Sequence, residues 1–175
     1  MTPFLIFILA LVIILLIAAS LIDKEMNIEH SIVIKRPLSE VFDYVKLVKN
    51  HEQFSVWMMM DPDMKKGYKG TDGQVGFVYI WDSAKQKNVG AGEQEIKKIE
   101  EGKTIEYELR FSRPMQDVAK AIFIFKFVSA TETQVQWGFY SQMKFPMVIM
   151  KPIMKKVLGN ALSTGLTNLK TVLEK

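Results

Sequence analysis

From Phe4 to Ile22 the chain runs without a charged residue, and it then stops abruptly at Asp23-Lys24-Glu25. At ~1.5 Å of rise per residue, a helix of this length comes close to crossing a ~30 Å hydrocarbon core. No Lys or Arg precedes the run, and it exceeds the roughly 7–15 residues of an apolar signal region. The expectation is therefore a retained transmembrane anchor over residues 1–25 rather than a cleaved leader. The basic residues near its ends, Lys24, Lys35 and Arg36, all follow it, which points to a single-pass protein with its domain in the cytoplasm.

Beyond the anchor the apolar period changes to two. Ile28, His30, Ile32 and Ile34 share one face of a strand that Pro37 ends. Leu38, Val41, Phe42 and Val45 then recur at helical spacing, and a second short helix is expected over about Lys46 to Phe54. Gly70-Thr71-Asp72-Gly73 reads as a connection between two strands. Phe77 to Trp81, Val89 to Ile99, Thr104 to Phe111, Ala119 to Val128 and Thr133 to Met143 follow as successive strands of an antiparallel meander.

Alternation assigns the inward side chains. Ile105, Tyr107, Leu109 and Phe111 oppose Glu106, Glu108 and Arg110, and Ala121, Phe123, Phe125 and Phe127 oppose Lys120 and Lys126. Val135, Trp137, Phe139, Ser141 and Met143 continue the same face. So much aromatic surface needs an apolar cover. The stripe Met154, Leu158, Leu162, Leu166, Leu169 and Leu173 supplies it as one long C-terminal helix opening near Pro152. Gly159 and Gly165 within this helix cost ~1 kcal/mol each against alanine, which close approach to the sheet or to a ligand would explain, as would poor optimisation.

The composition narrows the chemistry. A net charge of +4, scattered in both signs, gives no nucleic-acid footprint. The absence of cysteine excludes disulfides, thiolate–metal sites, cysteine nucleophiles and lipid-modified cysteines. His30 and His51 fall in different elements, so no histidine-based metal site is expected. His30 reads as a hydrogen-bonded core residue and His51, in a polar stretch, as exposed. Gly90-x-Gly92 lacks the third glycine of a dinucleotide fingerprint, because Glu95 stands there. Asp61, Asp63 and Asp72 read as turn residues, and no nucleophile elbow is present.

Two clusters remain. Trp57-Met58-Met59-Met60 suits core packing, an adaptable pocket entrance or a partner surface, and Met143, Met147, Met150 and Met154 link the last strand to the long helix. Lys144, Lys151, Lys155 and Lys156 lie near that helix's start, as a solvated face or a contact with anionic lipid.

Several phrases carry a family resemblance. Ile34-Lys35-Arg36-Pro37-Leu38-Ser39-Glu40-Val41-Phe42-Asp43-Tyr44-Val45, Gly90-Ala91-Gly92-Glu93-Gln94-Glu95-Ile96, Thr131-Glu132-Thr133-Gln134-Val135-Gln136-Trp137 and Gly165-Leu166-Thr167-Asn168-Leu169-Lys170 occur in this order. Together they resemble the START-like (SRPBCC) superfamily, which includes polyketide cyclase-like proteins and the birch-pollen allergen group. The resemblance spans about Met26 to Glu174. It implies an α+β helix-grip domain over residues 26–175, in which a curved antiparallel sheet wraps a long C-terminal helix. It also implies a cavity for a hydrophobic small molecule or lipid, and it carries over neither a catalytic motif nor a cofactor.

The cavity candidates are His30, Trp57, Tyr79, Trp81, Tyr107, Phe123, Phe125, Trp137, Met143 and Leu162. Three functions stay open: a membrane-anchored binder of a hydrophobic small molecule or lipid, a cyclase-like enzyme in which His30 or Tyr107 handles a proton, and a membrane-tethered module whose Trp57 to Met60 segment contacts a protein.

Overall fold

A computed structural model describes residues 3–20 and 23–175. Helix α1 (Pro3–Ser20) carries no charge, and its described side chains are all exposed. At about 27 Å, from ~1.5 Å per residue, it falls short of a ~30 Å core. Among the described residues no helix is long and apolar enough to cross a membrane. The expected transmembrane helix is thus not supported by the described residues, and Leu21 and Ile22, which complete the apolar run, lie outside them.

The remaining chain forms one layer of sheet with helices on one face. Strand β1 (Glu25–Ile34) is followed by α2 (Leu38–Lys46), a 3₁₀ helix (Val48–Gln53) and α3 (Val56–Met60). Then come β2 (Lys65–Lys69), β3 (Val78–Asp82), β4 (Ala91–Glu100), β5 (Thr104–Arg113), β6 (Asp117–Ser129) and β7 (Glu132–Gln142). A second 3₁₀ helix (Met147–Met150) leads into α4 (Lys151–Leu173). The sheet is antiparallel throughout in the order β1-β7-β6-β5-β4-β3-β2, so the meander closes when β1 pairs with the last strand. The helix expected over about Lys46 to Phe54 is instead the first 3₁₀ helix, and α3, beyond that span, is a further short helix. The Asp72 carboxylate accepts from the backbone amides of Val48 and Lys49 at the start of that 3₁₀ helix.

Helix α4 runs alongside β1 in the same direction. Lys151 Nζ bonds the Asp23 carboxylate at one end, and Lys170 Nζ donates to the Val33 carbonyl at the other. Two glycines permit this contact. A Cβ at Gly159 would stand 3.2 Å from His30 Nε2, and one at Gly165 would stand 2.7 Å from the Trp137 ring. Close approach to the sheet therefore accounts for Gly165, whereas at Gly159 only the end of the His30 side chain stands near.

The expected stripe of α4 is buried or half-buried along its length, and the hydrophobic core draws only on residues 26–173. Among the described residues the sheet, the hydrophobic core and α4 thus all lie within Asp23–Lys175.

One inward assignment fails. Phe127 is 68 % exposed. Phe127 is still in register with Thr133, and the β6–β7 register slips only after it; Lys126, Phe127 and Val128 are exposed in succession, so the alternation that buries Ala121, Phe123 and Phe125 ends at this tip of the strand.

Candidate functional site

The inward face of β6 reads Ala119, Ala121, Phe123, Phe125. Large rings fill one half of the sheet, whereas the short side chain of Ala121 leaves room in the other. Neighbouring strands widen this gap toward the same end. Tyr107, Leu109 and Phe111 step outward along β5, and Trp137, Phe139, Ser141 and Met143 along β7. Because α4 is drawn toward β1, it does not fill the space under β3 to β6. The result is a cavity of about 350 Å³ between sheet and helix, at the lower end of the ~300–1,000 Å³ typical of ligand pockets.

Of the candidates named from the sequence, Trp57, Trp81, Tyr107, Phe123, Trp137, Met143 and Leu162 line it. Stacking organises the aromatic wall, with Phe123 and Trp137 at 4.7 Å between centroids and Trp57 edge-on to Trp137 at 6.4 Å. Met147 and Met154 stand at the mouth, together with the β5–β6 hairpin residues Arg113 to Asp117 and Lys144.

Three candidates lie elsewhere. His30 is half-buried against α4 beneath Gly159. Tyr79 is fully buried beside Tyr68, and Phe125 packs edge-on to Phe42 at 5.1 Å. All three point inward by strand parity, but each meets a helix or another ring instead of open space.

The two histidines exchange their expected places. His51 is 2 % exposed and borders the cavity. Its ring packs against Phe54, Tyr107 and Phe123 with centroids 4.9 to 5.7 Å away. Its Nε2–H donates to the Val45 carbonyl at 2.8 Å, which leaves a lone pair on Nδ1, 3.5 Å from the amide nitrogen of Gln94. Burial in this apolar shell lowers its pKa to about 4, so the ring is neutral near pH 7. The polar residues around it conceal this placement in the sequence, and only the 3₁₀ turn that rotates the ring inward reveals it. Gln94, likewise missed, is the one polar inward residue of β4.

Tyr107 donates to the same Val45 carbonyl at 3.3 Å, and burial raises its pKa well above the usual phenol range. Neither residue named for proton handling is suited to it: Tyr107 holds its proton, and His30 is outside the cavity.

The remaining motifs resolve as structure. Gly90 has φ +63°, and a Cβ there would stand 2.1 Å from the Arg113 carbonyl oxygen. Asp61 accepts from the Ser83 hydroxyl at 2.6 Å. Of the methionine cluster, Met58 is buried and Met59 and Met60 are exposed. A larger depression of about 590 Å³ on the opposite face of the sheet is bordered by charged side chains such as Glu106 and Lys120. It is open to solvent and offers no apolar enclosure, so the smaller cavity is the better candidate.

Known proteins support the same architecture. A crystal structure of norcoclaurine synthase from Thalictrum flavum with dopamine and hydroxybenzaldehyde is 11% identical, with a TM-score of 0.63. The match covers 90% of this chain and 92% of that one. A protein of Mesorhizobium loti is 13% identical over 85% of this chain and 97% of its own, with a TM-score of 0.62. The Aha1 dimer from Colwellia psychrerythraea is 16% identical over 85% and 96%, at 0.58. At these identities the likeness concerns the fold. No curated protein sequence matches the chain. The profile of one sequence family covers residues 25–174, nearly the whole domain, and on that ground the chain belongs to the polyketide cyclase / dehydrase and lipid transport family.

Proposed function

We propose that this protein binds an apolar small molecule or lipid in the cavity between the sheet and α4, and that its N-terminal segment holds it at a membrane. The observation carrying the binding reading is the cavity itself, walled by Trp57, Trp81, Phe123, Trp137 and several methionines. Such walls gain from excluding water and adapt to an irregular guest. A protein-interaction module with a packed interior would have no use for this space. A catalytic reading finds no tuned group at the inner end, where His51 is a weak base and Tyr107 a weak acid, and the charged lining residues Asp117 and Lys144 stand at the mouth.

The membrane reading rests on α1. An uncharged helix with its described side chains exposed is unfavourable in water and favourable in an apolar medium. The run continues in sequence to Ile22 and meets the domain at Asp23, which is tied to Lys151 at the start of α4. Beside that point the exposed side chains Phe145, Ile149, Met150 and Ile153 flank the mouth residues Met147 and Met154. Lys144, Lys155 and Lys156 are exposed among them. An apolar rim edged with basic residues suits an anionic bilayer surface, and it would turn the cavity mouth toward the lipid.

The test is native mass spectrometry of Asp23–Lys175 purified from its own host, followed by organic extraction. A stoichiometric apolar passenger supports the reading. An empty domain that also takes up no added lipid overturns it.

A further inference from the structure

The inner end of the cavity is not purely apolar. Where Tyr107, Phe123 and Trp137 close it off, His51 and Gln94 also border the space, and they are 2 % and 8 % exposed. An amide side chain offers two donors and two acceptor lone pairs, and burying them without partners is costly. Gln94 makes a single side-chain hydrogen bond among the described residues, from Nε2 to His51 Nδ1. At 3.5 Å it is longer than the 2.7–3.2 Å usual for such bonds. The second amide hydrogen and the carbonyl oxygen are left over. The Val45 carbonyl occupies Nε2 of His51, so the Nδ1 lone pair is held on the Gln94 side of the ring.

The charges are elsewhere. Arg113, Asp117 and Lys144 are the charged residues of the lining, and all three are at the mouth. An anionic group at the inner end would meet a lone pair and a carbonyl with no cation to offset its desolvation, and an ammonium would find no carboxylate. A neutral group able both to donate and to accept fits both side chains.

Resting on the ligand-binding reading above, we propose that His51 and Gln94 form a polar recognition site for one uncharged hydroxyl on an otherwise apolar ligand. The hydroxyl enters the cavity first, donates to the Gln94 carbonyl or to His51 Nδ1, and accepts from the Gln94 amide. The apolar body then lies between Ala121, Trp137 and Leu162, with its far end toward the methionines of the mouth.

The experiment compares 2-naphthol, naphthalene and 2-naphthoate, which share one ring system, by titration calorimetry on Asp23–Lys175. The expected result is that 2-naphthol binds about tenfold tighter than either of the others, the scale set by one buried hydrogen bond. In Gln94→Leu the preference over naphthalene should shrink to about twofold or less. Should Gln94→Leu fail to fold, the side-chain amide resonances of Gln94 in the unsubstituted protein must shift with 2-naphthol and not with naphthalene. Equal binding of 2-naphthol and naphthalene, a preference undiminished in Gln94→Leu, or unshifted resonances would overturn the polar site and leave the cavity reading standing. Binding of none of the three would overturn both.

Discussion

Gly165 of α4 lies so close over Trp137 of β7 that a Cβ at that position would stand 2.7 Å from Cζ3 of the indole. The indole cannot easily yield, because it also stacks on Phe123 at 4.7 Å and meets Phe54 edge-on at 5.8 Å. At Gly159 the nearest atom to a Cβ is His30 Nε2 at 3.2 Å, on a half-buried ring with room to turn. Chemical denaturation should separate the two. Gly165→Ala is expected to lose ~1–3 kcal/mol to overpacking, beyond the ~1 kcal/mol that alanine contributes to a helix. Gly159→Ala should match or exceed the unsubstituted protein. Equal effects at both positions would contradict the account of how α4 seats on the sheet.

Stability should depend on pH through His51. Its pKa is about 4 in the folded protein against 6.5 for the free side chain, so between these values the unfolded chain binds more protons. Its contribution is therefore complete above pH 6.5, falls as the pH drops and is fully lost below about 4. At ~1.4 kcal/mol per unit the total is about 3 kcal/mol. In His51→Phe, denaturation between pH 7 and 5 should show a flatter profile, whereas the carboxylates lowered by Lys and Arg partners, such as Glu95, still act at lower pH. An identical slope in both proteins would mean that the ring is not held neutral.

Ala121 supplies the space. Ala121→Phe should fill the cavity beside Phe123 and abolish binding of apolar ligands. Its melting temperature should stay within about 4 °C, the shift that ~1 kcal/mol produces in a domain of this size. Undiminished uptake of a fluorescent apolar dye would place the ligand elsewhere.

The membrane reading is checked in two ways. The full chain should sediment with membranes and resist alkaline carbonate, and a chain lacking residues 1–22 should be released. In addition, changing Lys144, Lys155 and Lys156 together to alanine should weaken binding of Asp23–Lys175 to anionic vesicles about a hundredfold, at ~1 kcal/mol per basic residue. A full chain that stays in the supernatant would leave α1 without a membrane role.

The order of strands and helices, the inward faces of β5 and β7 and the apolar stripe of α4 are all legible in the sequence. Each is written in a local period, two for a strand and 3.6 for a helix, and burial follows that period wherever the element is regular. Where regularity fails, so does the reading. Phe127 keeps its parity but stands at the irregular tip of β6, just before a register shift, and is exposed, and His51 sits in a 3₁₀ turn whose phase differs from an α-helix.

The sequence by itself determined the fold class and the inward direction of the aromatic side chains of β5 and β7, because side-chain direction along one element is a local property. Tertiary structure alone decided that Ala121 borders a cavity rather than being bridged by α4, that Tyr79 and Phe125 fill core instead of lining space, and that Gln94 meets His51. Volume and pairing depend on the distance between elements, and no single element's pattern records that distance.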